Sequence, residues 1–282
     1  MEIKSLGNTD FDTLFKAFER AFADYDVQLD KTQLQAMLKR RGFDPGLSFA
    51  AFDGGEIAAF TLNGIGHFDG KPTAYDTGTG TLNEYRGQGL AAKIFEHSIP
   101  HLRASGIGLY LLEVLQHNAK AVSIYSKLGF DTTREFNYFI QRNDRIVNGG
   151  EIPAGYSIRR LGAGEFSPCA DFQDFNPSWQ NSIDAIRRAA GDFIVVEAVA
   201  GKELAGYGVF EPAAGDITQL AVGRRHRRRG VASALLREML RLNRNDSVKV
   251  VNAEVSCNAF THFLEAKNIG VSGRQFEMTR LL

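Results

Sequence analysis

Apolar residues recur at helical spacing early in the chain. Leu14, Phe15, Phe18 and Phe22 form one stripe and predict amphipathic helices over residues 11–25 and 31–41. The period then shortens. Residues 48–52 and 56–62 are short apolar runs flanking Asp53-Gly54-Gly55, the turn signature of a β-hairpin. Residues 73–82 read as another strand, and a helix is predicted over 88–103 with Pro100 as a point of bending. The unbroken apolar run 109–115 predicts a buried strand. Asn118 is placed to cap the start of a helix and Gly129 to end it, before a closing strand over 134–140. Helices inserted between strands in this order predict a mixed α/β domain, a mainly antiparallel sheet with helices on both faces.

Two segments of the chain resemble each other. Residues 81–95 and 222–236 align without a gap at an offset of 141, placing Arg86 on Arg227, Gly89 on Gly230 and Ala91 on Ala232. The same offset sets Glu113 on Glu254, each followed by a valine. Self-similarity at this spacing is a duplicated domain rather than a solenoid. Ile3-Lys-Ser-Leu6 and Ile158-Arg-Arg-Leu161 both look like a short strand running into a helix. Residues 141–155 are polar, contain Gly and Pro and lack a clean period, which marks a linker and predicts domains over 1–143 and 153–282. The total of 282 residues fits two domains of ordinary size, about 150 each.

Charge and composition narrow the function classes. The 33 Lys and Arg cancel the 33 Asp and Glu, so there is no long-range pull toward nucleic acid or an anionic membrane. The run Arg224-Arg-His-Arg-Arg-Arg229 therefore reads as a solvated loop or a phosphate contact rather than a nucleic-acid patch. A 44% hydrophobic share fits a folded soluble chain. Cys169 and Cys257 are too few for a disulfide framework, and no apolar signal core or membrane-length stretch is present; the expectation is a cytoplasmic protein.

The aligned segments share the form Arg-x-x-Gly-x-Ala at a strand-to-helix junction. Such a junction gathers unpaired N–H groups at a helix start, where the dipole favours anions, and a glycine there lets a phosphate approach the main chain. Arg86 and Arg227 would add charge at the same spot. The chemistry is that of a pyrophosphate cradle, without the Lys-Ser/Thr of a P-loop.

Arg86-Gly-Gln-Gly-Leu-Ala91 and Arg227-Arg-Arg-Gly-Val-Ala232 resemble the Arg/Gln-x-x-Gly-x-Gly/Ala acyl-CoA signature of the GNAT superfamily of N-acetyltransferases. Asn118-Ala-Lys-Ala-Val-Ser-Ile-Tyr-Ser-Lys-Leu-Gly-Phe130 is similar to that family's second motif, with its Asn, Tyr and terminal Gly-Phe. The resemblance covers essentially the whole chain as a tandem pair. It implies acetyl transfer from acetyl-CoA to a small primary amine by direct attack, with no metal. Cofactor contacts are implied at Arg86, Gly87, Gln88, Gly89, Leu90 and Ala91 for the pyrophosphate. They are implied also at Asn118 and Tyr125, at the backbone of Thr81 or Leu82 for the thioester carbonyl, and at Arg227, Gly230 and Ala232 in the second copy. Tyr125 is implied as the acid that protonates the departing thiolate. Glu113, mid-strand in an apolar run, and Asp76 on the preceding strand are rival bases.

The second copy departs from the pattern. Its helix begins at Asn258, and the Tyr position falls on Phe263, Leu264 or Glu265 according to register; none donates a proton as a phenol does. Gly-Phe becomes Asn268-Ile269, compatible with a left-handed cap. The first copy is therefore expected to be catalytic. It also has 14 more residues between its opening strand and the motif, the offset falling from 155 to 141, with which to build an acceptor site over residues 11–42 and 67–72. Gly78 and Gly80 read either as space for a substrate or as a bulge, and Trp179 and Phe175 as core rather than pocket. Two alternatives stay open: a CoA-binding regulatory protein with lapsed catalysis, and an acyltransferase acting on a protein Lys or a thiol-precursor amine. A homodimer is also left open.

Overall fold

The computed structural model describes residues 1–24, 28–148 and 151–282, which form two compact units. In the first, β1 (Glu2–Ser5), β2 (Phe49–Asp53), β3 (Glu56–Phe68), β4 (Lys71–Thr81) and β5 (Leu109–Leu115) lie side by side in that order. The pairings are antiparallel except β4 with β5, which run parallel. Helices α1 (Phe11–Ala21), α2 (Lys31–Arg41), α3 (Leu90–Ala104) and α4 (Ala119–Lys127) complete it. Strand β2 is apolar at successive positions because both of its faces are covered. Ala50 and Phe52 join Leu14, Phe18, Leu34 and Leu38 of α1 and α2, while Phe49 and Ala51 join Leu90 and Ile94 of α3.

Local sequence explains most boundaries. Helix α2 spans the expected 31–41, opened by a reciprocal cap between Asp30 and Gln33 and closed by Gly42 at φ 77°. Helix α1 stops at Ala21 with Phe22 as its cap; the expected end at Tyr25 lies outside the described residues. Helix α3 starts two residues later than expected, because Gly89 adopts a left-handed conformation as its N-cap, and it runs through Pro100 to Ala104.

Strand β3 extends six residues past its expected end at Leu62. It turns through Asp69 (φ 49°) and Gly70 (φ 74°) into β4, with Phe68 facing Lys71. Residues 67–72 are thus the tip of a tight hairpin and not a free acceptor loop.

The second unit holds β7 (Ser157–Gly162), α5 (Ile183–Arg188), β8 (Ile194–Ala200), β9 (Glu203–Glu211), β10 (Asp216–Val222), α6 (Val231–Leu242), β11 (Ser247–Glu254) and α7 (Asn258–Glu265). Its sheet runs β11-β10-β9-β8-β7, with β10 and β11 parallel. Only α5 and short turns stand where the first unit has α1 and α2, consistent with the shorter chain there.

The units depart from the expected 1–143 and 153–282. They comprise Met1–Thr133 with Glu277–Leu282, and Arg134–Phe276. Strand β6 (Asp131–Arg142) leaves the first unit after three residues, and from Phe136 to Arg142 it pairs with β11. Strand β12 (Val271–Leu281) begins in the second unit and ends beside β5 in the first. A polar linker marks where one copy's sequence stops; it carries no information on which sheet edge a flanking strand joins.

Candidate active site

The first unit opens between its two parallel strands. Thr73, Ala74 and Tyr75 pair with Leu109, Tyr110 and Leu111, and the register ends there although the strands continue to Thr81 and Leu115. Backbone groups along the separated edges are left for another extended chain to meet. Strand β4 carries a bulge in this stretch: Asn63 faces Asp76 and Leu62 faces Gly78, so Thr77 is the extra residue. The bulge reading of the glycines holds. Gly80 is a glycine because a Cβ there would lie 2.6 Å from the Phe60 ring, so it gives room to the core and not to a substrate.

Of the two backbone candidates for a thioester carbonyl, Leu82 is already engaged. Its N–H donates to the Ala58 carbonyl at 3.0 Å and its side chain is buried. Strand alternation then turns the Thr81 N–H to the opposite edge, toward the opening.

The strand-to-helix turn follows. Gly87 (φ 83°) and Gly89 (φ 71°) both occupy the left-handed region, and nothing stands within 4 Å of where a Cβ would be on either. No side chain caps the start of α3, and its first turn holds no acidic residue, so its N–H groups and dipole are available to an anion. Gln88 is exposed, while Leu90 is buried and Ala91 half-buried, seating the helix. Arg86 does not point into this space. Its guanidinium donates to the Thr81 carbonyl (3.3 Å) and the Ala21 carbonyl (3.1 Å) and meets Asp24 (3.0 Å). These contacts strap the turn to the end of α1.

Ionisable groups flank the opening on both faces of the sheet. Successive residues of a strand point to opposite faces, so Tyr75 and Asp76 part company here. On the α3–α4 face, the Tyr125 hydroxyl donates to Asp76 Oδ2 at 2.9 Å, Thr79 Oγ1 donates to the same oxygen at 2.8 Å, and the Gly78 N–H donates to Oδ1 at 3.0 Å. Burial raises the Asp76 pKa against the opposing pull of these hydrogen bonds and of the Arg41 charge. Burial first, then the Asp76 charge, holds the Tyr125 phenol well above its ordinary value. Asn118 caps α4 by accepting from the Ala121 N–H at 3.1 Å. On the α1–α2 face, the Tyr75 hydroxyl donates to Glu113 Oε2 at 3.0 Å, and Arg41 lies over the Tyr75 ring at 5.9 Å while donating to the Thr77 carbonyl at 2.9 Å. Tyr75, Thr79 and Arg41 were not singled out from sequence. Tyr75 was within reach, since parallel pairing of the two runs puts it on the face of Glu113.

The second unit repeats the scaffold with different side chains at the equivalent positions. Gly230 (φ 84°) caps α6, on which Ala232 is half-buried. Arg227 donates to the Val222 carbonyl at 2.9 Å and pairs with Asp174 at 2.9 Å, the same strap as Arg86. The bulge recurs at Thr218, which puts Ile217 where the first unit has Asp76. Aligning the N-caps Asn118 and Cys257 puts Leu264, fully buried, where it has Tyr125. Asn268 takes the left-handed conformation (φ 59°) expected of it. Glu254 pairs with Arg134 at 3.6 Å. Pro153 Cγ lies 3.1 Å from where a Cβ on Gly230 would be. Across the parting of β10 and β11, Asn181 donates to the Val251 carbonyl (2.7 Å) and its own carbonyl accepts from Gln219 (2.7 Å). Trp179 is core, as expected; Phe175 lines a cavity here with Phe172, Tyr207 and Phe260.

Among the described residues no helix is long and apolar enough to cross a membrane. The acetyltransferase (GNAT) family model matches residues 11–130 and again 157–263. The mycothiol acetyltransferase of Thermobifida fusca is 35% identical over 121 residues, 40% of this chain and 38% of that protein, so the chain spans well under half of this relative's length. The ribosomal protein bS18-alanine N-acetyltransferase of Escherichia coli is 31% identical over 105 residues, 36% of this chain and 68% of that one. A tandem GNAT protein from the clavulanic acid biosynthesis pathway, solved without acetyl-CoA, superposes with a TM-score of 0.75 at 16% identity, over 99% of this chain and 98% of its own.

Proposed function

The chain belongs to the acetyltransferase (GNAT) family, and we propose that its first unit transfers an acetyl group from acetyl-CoA to a primary amine by direct attack. The observation that carries this reading is the contrast between equivalent openings. The first is flanked by Asp76 with Tyr125 and by Glu113 with Tyr75, beneath an open glycine turn; the second has Ile217 and Leu264, with Pro153 against its glycine.

The donor's diphosphate is met by the N–H groups of the 86–91 turn and its amide-bearing arm by the free edges between β4 and β5. An alkyl ammonium has a pKa near 10 and no lone pair, so the acceptor must lose a proton before it attacks. Glu113 takes that proton, on the α1–α2 face. The N–C bond forms as the C–S bond breaks, while the Thr81 N–H supports the charge developing on the carbonyl oxygen. On the opposite face Tyr125 gives its proton to the departing sulfur and recovers one from solvent. Asp76, bonded to Tyr125, serves that phenol rather than the amine.

The test is acetyl-CoA turnover by the full chain with a peptide bearing an N-terminal alanine, a lysine peptide and a cysteinyl amine as acceptors. Tyr125→Phe is expected to lower kcat roughly 100-fold, as loss of a general acid does, with the KM for acetyl-CoA little changed. A Tyr125→Phe enzyme as fast as wild type would remove the phenol from the mechanism.

A further inference from the structure

We infer that the last six residues of the chain belong to the first unit's active site, where Arg280 acts as a positioning residue for the helix that carries Tyr125. The inference rests on the role proposed above for Tyr125. No residue of helix α4 is fully buried, Tyr125 being half-buried, so contacts at its two ends contribute to its placement. Asn118 holds the first.

At the other end the Arg280 guanidinium donates to the carbonyl of Leu128, the C-cap residue. The last carbonyls of a helix have no partner within it, and a cation there also meets the negative end of the dipole. The side chain passes Gly129 (φ 80°), where a Cβ would lie 3.7 Å from Arg280 Nε. Its guanidinium stands over the Phe95 ring at 5.7 Å. Phe95 meets Phe130 at 5.1 Å, and Phe130 meets the Tyr125 ring edge-on at 5.7 Å. Arg280 therefore reaches the phenol by two routes, one through the helix backbone and one through the packed rings of Phe95 and Phe130.

The segment that delivers it is firmly seated. Thr133 Oγ1 donates to Glu277 Oε1 at 3.1 Å, Met278 is buried, and the Leu282 N–H donates to the Gly108 carbonyl at 3.0 Å. All of these residues belong to the first unit, although Glu277–Leu282 are the last residues of the second copy's sequence. The second copy, without an acid of its own, thus supplies a part that the first copy's catalytic helix needs.

The test compares full-length Arg280→Met and Arg280→Lys with wild type. Hydrogen exchange over residues 119–130 should quicken in Arg280→Met and less so in Arg280→Lys. With the alanyl peptide as acceptor, kcat should fall roughly 10- to 100-fold in Arg280→Met, the scale of a displaced catalytic group, with the KM for acetyl-CoA within twofold. In a Tyr125→Phe background Arg280→Met should cost nothing more. Unchanged exchange over 119–130, or an equal loss in the Tyr125→Phe background, would overturn the inference. Should Arg280→Met unfold, the exchange of Arg280→Lys decides. Should wild type acetylate none of the three acceptors, the proposed function fails while the exchange comparison still tests the anchoring of α4.

Discussion

Asp76 accepts three hydrogen bonds, and burial still raises its pKa. Two opposed effects follow for Asp76→Asn. Removing the charge beside Tyr125 lets the phenol pKa fall toward its ordinary value. Any alkaline limb of kcat set by that phenol should therefore move to lower pH, with kcat down at least 10-fold. A carboxyl whose folded pKa lies above its unfolded value gives stability that is full below the unfolded pKa and lost as pH rises through the folded one. Wild type should thus be the less stable protein at pH 8, with the Asp76→Asn advantage in Tm shrinking as the pH approaches 4; thermal melts across that range check it. Tyr125, Asp76 and Glu113 were all legible in the sequence, because a phenol in a known motif and carboxylates in apolar runs are conspicuous. Their pairing was not. Which carboxylate meets Tyr125 depends on a bulge at Thr77 that the run Thr77–Thr81 only hints at, and the strap from Arg86 to Ala21 was hidden because sequence shows a charge and not its partners.

Elements were legible where punctuation is local. The reciprocal cap at Asp30 and Gln33 and the left-handed Gly42 fix α2 at both ends, and the apolar run of β5 matched residue for residue. Legibility failed where tertiary contact overrides propensity. Asn63-Gly-Ile-Gly-His67 holds two glycines that argue against a strand, yet β3 continues through it. Gly64 is there because a Cβ would lie 2.0 Å from the Arg41 carbonyl, where the chain leaving α2 pairs with β3 through a bridge from Phe43 to Gly64. The Ile65 N–H donates to the Gly42 carbonyl at 2.8 Å in that pairing. Gly64→Ala must push backbone against backbone. It should destabilise the first unit by roughly 3 kcal/mol or more, beyond ordinary overpacking, as read in denaturant unfolding. Since that pairing also holds Arg41 over Tyr75, activity should fall with it.

Across the whole chain, the duplication was visible from one offset of 141 residues, and the second copy's departure from the motif from a missing tyrosine. The ownership of the final strands was not, since strand pairing is a non-local choice. The two units include Glu277–Leu282 with the first and Arg134–Arg142 with the second. A fragment of residues 1–143 therefore lacks the chain that lies beside β5 and exposes a β6 whose partner β11 is absent. It should melt well below the full chain or aggregate; a fragment as stable as the full chain by circular dichroism would contradict the division described. Whether the first unit holds the acetyl-CoA site is read by calorimetric titration of acetyl-CoA into wild type, Gly89→Glu and Gly230→Glu, with melts to verify folding. One site per chain is expected, lost in Gly89→Glu and kept in Gly230→Glu. Two sites in wild type, or loss of binding in Gly230→Glu alone, would contradict it.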